Sequence, residues 1–185
     1  MIPNPSRNLV VITGGPGAGK TTLIDALAAR GHAVMQEAGR AVIRSELGSG
    51  GTGLPWQDPI RFSELMMAAD LRSYEAALLM KPPVFFDRGL PDVAGYLQLC
   101  GLDVPSVLTE AIARRRYRET VFIAPHWPEI YRRDAERRQG PEEARRTSAM
   151  MARIYTLHGY RLVALPLAPV IERVAFVETA LAAST

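Results

Sequence analysis

Short apolar runs alternate with longer amphipathic stretches along the whole chain. Leu9-Val10-Val11-Ile12-Thr13 is almost wholly apolar and runs into glycine, the pattern of a parallel strand buried on both faces. Lys20 to Arg30 follows with Leu23, Ile24 and Leu27 on one helical face, and Gly31 ends it. Ala33-Val34-Met35-Gln36 reads as a second strand, and the stretch from about Gly39 to Leu47 as a second helix. Gly48 to Gly53 is dominated by glycine and predicts a flexible connection. Asp58 to Met80 then predicts a long helix, with Ile60, Met67, Leu71, Tyr74 and Leu78 as its buried stripe.

The second half continues the alternation. Pro83 to Asp87 predicts a third strand stopped by Gly89, with helices to follow at Pro91–Leu99 and Pro105–Arg116. Thr120 to Ala124 is a fourth strand, closed by Pro125 and Pro128. Helices at Glu129–Arg138 and Pro141–Leu157, a fifth strand at Arg161–Leu165 and a last helix at Val170–Ala183 complete the chain. Five strands separated by helices predict an α/β fold in three layers, a parallel sheet covered by helices on both faces. With no internal repeat and no linker, residues 1–185 read as one domain.

Composition narrows the class. At 185 residues and 48% hydrophobic content the chain can bury a core without staples, so disordered and fibrous classes are excluded. Cys100 is the single cysteine, which rules out an internal disulfide and predicts a reducing, cytoplasmic setting. No apolar run approaches the roughly 18 residues of a membrane span. His32, His126 and His158 are too scattered to suggest a zinc site. Only Lys20 and Lys81 are lysine among the 22 basic residues, and 12 arginines face six carboxylates between Ile112 and Arg161. That excess suggests an anionic ligand near the arginine-rich segment, although a net charge of +3 argues only weakly for nucleic acid.

Gly14-Gly15-Pro16-Gly17-Ala18-Gly19-Lys20-Thr21 fits G-x-x-x-x-G-K-[ST] between a strand and a helix. Glycines let backbone N–H groups turn inward around a polyphosphate, and the helix start adds its positive dipole end. Gly15, Pro16, Gly17, Ala18, Gly19, Lys20, Thr21 and Thr22 therefore form the predicted nucleotide site. Lys20 would reach the β and γ phosphates, and the Thr21 hydroxyl would ligate Mg²⁺. Asp87, at the end of the third strand, is the second expected Mg²⁺ ligand. G-x-G-x-x-G is not satisfied, so a nucleoside triphosphate is expected rather than a dinucleotide.

Absent motifs sort the phosphate-loop classes. Arg88 follows Asp87 where motor ATPases carry a glutamate, and neither N-K-x-D nor L-S-G-G-Q occurs. The remaining layout, Gln36-Glu37, Asp87-Arg88-Gly89 and an arginine-rich stretch after the fourth strand, resembles the nucleoside and nucleotide kinase superfamily. Glu37-Ala38-Gly39-Arg40 with Phe86-Asp87-Arg88-Gly89-Leu90-Pro91-Asp92 is similar to a family of predicted ATPases with an AAA domain. That family is related to the kinase module of nicotinamide-riboside kinases. The resemblance runs from Leu9 to about Val177 and implies a P-loop NTPase fold of the nucleoside-kinase kind.

The same resemblance implies residue roles. Glu37 stands where such kinases place the carboxylate that accepts the acceptor hydroxyl's proton; an ordinary first-turn helix glutamate is the alternative. Arg88 would bridge the transferring phosphoryl group and Asp87, or serve as a structural ion pair. Arg40 and Asp92 would line the acceptor pocket. A lid within about residues 125–145 would bring Arg132, Arg133 and Arg137 to the phosphates, unless Pro128 to Arg138 is only a salt-bridged solvated helix. Pro166-Leu167-Ala168-Pro169 would hold adenine, mainly by backbone contacts. Arg114, Arg115, Arg116 and Arg118 read as a solvated face or an anionic-partner patch. Cys100, Met66 and Met67 read as packing residues, and Trp56 and Trp127 as packing residues or pocket walls.

Three functions remain open. The first is an ATP- and Mg²⁺-dependent phosphotransferase acting on a small hydroxyl- or phosphate-bearing acceptor. The second is a nucleotide-dependent switch or slow ATPase, with a protein partner or a second copy of the chain as its target. The third is a nucleic-acid-linked protein, which no recognised nucleic-acid motif supports.

Overall fold

The computed structural model describes residues 8–128 and 140–183. The strands are β1 (Leu9–Gly14), β2 (Ala33–Met35), β3 (Val84–Asp87), β4 (Thr120–Ala124) and β5 (Arg161–Ala164). The helices are α1 (Lys20–Ala29), α2 (Ala38–Ser49), α3 (Pro59–Ala77), α4 (Leu90–Leu99), α5 (Ser106–Arg114), α6 (Pro141–Leu157) and α7 (Val170–Ala182). The predicted helix over 129–138 lies outside the described residues, as do Arg132, Arg133 and Arg137.

The strands form one parallel sheet in the order β2-β3-β1-β4-β5. Neighbouring side chains on a strand point to opposite faces, and the core divides accordingly. Leu9, Val11, Val84, Phe86 and Val121 pack on the side of α3 to α6. Val10, Ile12, Phe85 and Phe122 pack on the side of α1 and α7. Both faces are apolar because both are covered, which is why these strands read as continuous hydrophobic runs. The expected three-layer α/β fold is the one observed. Among the described residues no helix is long and apolar enough to cross a membrane.

Three local expectations change. The stretch expected to be a loose connection from Gly48 is still helical to Ser49, and Gly50 ends α2 at φ 71°. Its Gly53 amide is tied to the Glu46 carboxylate at 2.7 Å. The long helix stops at Ala77, and Ile60 and Leu78 are exposed. Its buried row is Phe62, Met66, Asp70, Tyr74 and Ala77, with an acid standing where the apolar pattern gave no warning. Cys100, read as packing, caps the end of α4 and is exposed.

The arginines before β4 behave as a structural face. Arg115 pairs with Glu75 at 3.2 Å, and the Arg116 guanidinium lies 3.9 Å above the Tyr160 ring.

Candidate active site

The sheet order places β3 beside β1, so Asp87 lies level with Ile12 at the C-terminal edge. That edge is where open α/β sheets bind ligands. The chain then turns through the Gly14–Gly19 loop into α1. Gly17 and Gly19 sit at φ 75° and 73°, where a side chain would be strained. Gly15 is needed for another reason: an added Cβ would overlap the Ala144 carbonyl oxygen of α6.

Among the described residues no backbone carbonyl accepts from the amides of Gly17 through Thr22, and no side chain caps α1. The loop thus offers unused donors at the positive end of a helix. Pro16, Gly17, Gly19, Lys20, Thr21 and Thr22 line a cavity. Gly15 and Ala18 stand behind them and contribute carbonyls: Lys20 Nζ donates to Gly14 O at 3.1 Å and Gly15 O at 2.7 Å, and Arg173 Nη1 to Ala18 O at 3.2 Å. Burial, helped by the Arg88 charge, lowers Lys20 to about 8. An anion in the loop would restore its proton.

The Thr21 hydroxyl donates to Asp87 Oδ2 at 3.4 Å, while the buried Oδ1 has no partner among the described residues. Burial pushes the Asp87 carboxyl up, against the pull of Lys20. A buried carboxylate oxygen left open beside a hydroxyl is a hard-oxygen donor set, and it fits Mg²⁺.

Opposite the loop stands Glu37, at the N-terminus of α2. Arg88 Nε donates to Glu37 Oε1 and Arg40 Nε lies beside Oε2, each at 3.2 Å. Burial would raise this carboxyl, yet Arg88, Lys20 and Arg40 hold it below its ordinary value. Arg88 does not bridge to Asp87 as the sequence suggested. Its Nη1 donates instead to Asp92 Oδ1 at 2.8 Å, so its fork joins Glu37 to Asp92.

A family model described as an AAA domain matches residues 9–173. The chain belongs to this AAA domain family. No curated protein matches it significantly. Among solved structures it is similar to a deoxyadenosine kinase from M. mycoides with products bound. There the TM-score is 0.69 and the identity 15%, over 95% of this chain and 99% of that one. It is similar to a thymidylate kinase from Ehrlichia chaffeensis at TM-score 0.63 and 17% identity, over 94% and 97% of the two chains. It is also similar to NadR in complex with NR, at TM-score 0.69 and 19% identity. That match covers 95% of this chain and 51% of NadR, so the chain spans about half of that protein.

In this AAA domain the cavity has a volume of about 1530 Å³ and two ends. Beyond the loop lie Trp127, Ala168, Pro169, Val170 and Arg173; beyond Glu37 lie Ile43, Phe62, Met66, Asp70, Val93 and Tyr96. Arg40 and Asp92 both line it. Trp56 and Trp127 line it as walls, Cys100 lines it too, and Met66 both lines it and belongs to the core.

Sequence reading missed the supports of Asp92. It accepts from Thr13 Oγ1 at 2.6 Å, Tyr155 Oη at 2.7 Å and the Gly89 amide at 3.0 Å, besides Arg88. It also missed Asp70 and Arg173. The available signal for Asp70 was its four-residue spacing from Met66 and Tyr74, which puts it on an apolar helical row.

Proposed function

We propose that the chain is an ATP- and Mg²⁺-dependent phosphotransferase that phosphorylates a small acceptor. One observation carries this reading. The cavity continues past the phosphate loop into a second, apolar-walled end with Glu37, Arg88 and Arg40 at the junction. Its volume of about 1530 Å³ exceeds that of a pocket for one small ligand. A switch ATPase needs no second compartment, so the continuous cavity favours transfer to an acceptor over hydrolysis alone. The similarity to kinases, including a shikimate kinase from Acinetobacter baumannii, supports the same reading.

Lys20 and the loop amides of Gly15, Gly17, Ala18 and Gly19 with Thr21 and Thr22 hold the triphosphate. Thr21 and Asp87 would hold Mg²⁺, which when bound would neutralise charge on the phosphates. Glu37, kept ionised by its arginines, orients the acceptor hydroxyl and takes its proton as the new O–P bond forms. The bond from the γ-phosphorus to the bridging oxygen breaks, and ADP leaves with that electron pair. Arg88 holds Glu37 in place and faces the developing negative charge, and one or more of Arg132, Arg133 and Arg137, which lie outside the described residues, would share that task. Such transfer is mostly positioning and electrostatics. An ATP-consuming reaction and one cysteine suit the cytoplasm.

The test is Mg-ATP consumption by the wild type and Lys20→Ala, with a panel of nucleosides, nucleotides and small alcohols. Stimulation by one acceptor, with a phosphorylated product that Lys20→Ala does not make, is expected. Acceptor-independent slow hydrolysis alone would favour the switch, and failure to bind any triphosphate would overturn both.

A further inference from the structure

The acceptor end of the cavity holds one buried acid that the proposed chemistry does not use. Asp70 is 6% exposed and lines the cavity with Phe62, Met66, Val93 and Tyr96. Its carboxyl makes no hydrogen bond and no ion pair among the described residues, in contrast to the acids around it. Asp92 receives four donors, and Glu37 holds Arg88 and Arg40. Arg88 is committed to those two carboxylates, and Lys20 to its own loop. Among the described residues no cation makes an ion pair with Asp70, and only the Arg88 charge opposes its burial. Buried carboxyls without partners are rare because removing them from water is costly, and those that persist usually have a use.

The groups facing Asp70 explain its state. Burial raises its carboxyl most, Asp92 and Glu37 raise it further, and Arg88 opposes them, so that it titrates at about 8. The buried phenol of Tyr117 also feels its charge. An anionic acceptor group would leave the proton on Asp70 and would face the Asp92 and Glu37 charges that already raise it. A neutral group would leave the proton in place and gain one ordinary hydrogen bond. A cationic nitrogen would convert the acid to a carboxylate and form a desolvated, charge-assisted pair, the strongest contact this end can make.

We propose that Asp70 docks a positively charged nitrogen of the acceptor, whose apolar body rests on Phe62, Met66 and Tyr96. This rests on the kinase reading and specifies its acceptor as a cationic alcohol. The pocket thus recognises a group of the acceptor other than the hydroxyl held by Glu37. Binding would release the Asp70 proton below about pH 8, so affinity for the cation rises as pH approaches that value.

The test uses two fragments that differ only in the group concerned, 2-phenylethylammonium and 2-phenylethanol. Their binding to the full chain with Mg-ADP is measured by ligand-observed NMR at pH 7.5, together with calorimetry in two buffers of different ionisation enthalpy. The ammonium should bind the wild type roughly tenfold more tightly than the alcohol, and release a proton. Asp70→Asn, checked for folding by circular dichroism, should erase both the preference and the proton release. Equal affinities, no detectable binding of either fragment, or a preference surviving in Asp70→Asn would overturn the assignment. Because the assay reads no turnover, its failure is distinct from failure of the kinase reading, which the Lys20→Ala comparison tests.

Discussion

Arg88 ties Glu37 to Asp92: its Nε donates to one carboxylate at 3.2 Å and its Nη1 to the other at 2.8 Å. The residue holds this position with φ 72°, the only non-glycine at positive φ among the described residues. A hydrogen bond from its amide to Ile12 O at 3.0 Å fixes the turn that leaves β3. The strained backbone and the forked side chain serve one end, since the turn aims the guanidinium across the cavity rather than along the strand.

Arg88→Ala keeps the strain and leaves buried Asp92 without its cation and half-buried Glu37 with Arg40 alone. It should cost roughly 3 kcal/mol, within the range for breaking a buried pair. Arg88→Gly relieves the backbone and should be more stable than Arg88→Ala by about 1 kcal/mol. Arg88→Lys retains charge without the fork and should lose most turnover while unfolding later than either. Denaturant midpoints with matched slopes and kcat for the three variants check this order.

Lys20 gives a pH signature to nucleotide binding. Free Lys20 titrates at about 8, below its ordinary 10.5, because burial and Arg88 disfavour the ammonium. A bound triphosphate favours the ammonium, so at pH 8 to 9 binding should take up a proton and weaken as pH rises. The folded state binds fewer protons than the unfolded state between about 8 and 10.5, so this group lets stability recover as pH rises through that window. Calorimetry in two buffers reads the uptake, and Lys20→Met should abolish it.

Gly15→Ala tests how closely α6 supports the phosphate loop. The new methyl would meet the Ala144 carbonyl, which is backbone and cannot swing aside. Overpacking of this kind costs typically 1–3 kcal/mol, here about 2 kcal/mol. Triphosphate affinity should fall more than tenfold, by the order of 1.4 kcal/mol or more. Fluorescence of Trp127, in the same cavity, can follow both.

Much of this was legible in the sequence because backbone needs and buried strands leave strong marks. Gly14 to Thr21 carries the phosphate loop in its glycines, and the two-sided burial of Leu9–Ile12 and Val84–Phe86 shows as unbroken apolar runs. Glu37 and Asp87 stand out as candidates in the sequence because they lie at the ends of strands on the ligand edge. Asp70 was hidden on a helix whose many apolar residues allow more than one stripe, so Ile60 and Leu78 were assigned inward while Phe62 and Met66 hold the core. The bond from Tyr155 to Asp92 spans 63 residues and has no local trace at all.

Tyr155→Phe removes one of four donors from Asp92 without opening a cavity. Hydrogen bonds to charged groups contribute roughly 1.5–3 kcal/mol, so stability should fall by about 2 kcal/mol. Arg88 should then hold Asp92 alone with Thr13 and the Gly89 amide, and turnover should fall less than in Arg88→Ala. An activity loss equal to that of Arg88→Ala would mean that Tyr155, not Arg88, sets the geometry of Glu37.

Asp70 should leave its mark on stability even without an acceptor. The folded chain keeps its proton to about pH 8, whereas the unfolded chain releases it near 3.8. Between those values the folded state binds more protons, so this group makes stability fall as pH rises, the reverse of a salt-bridged aspartate. Asp70→Asn removes that dependence while preserving shape, so it should be more stable than the wild type at pH 8 and lose its advantage toward pH 4. Unfolding free energies across that interval decide the matter. Parallel curves for the two proteins would mean that Asp70 already has a partner in solution, and the cavity would then have no vacant charge for a ligand to meet.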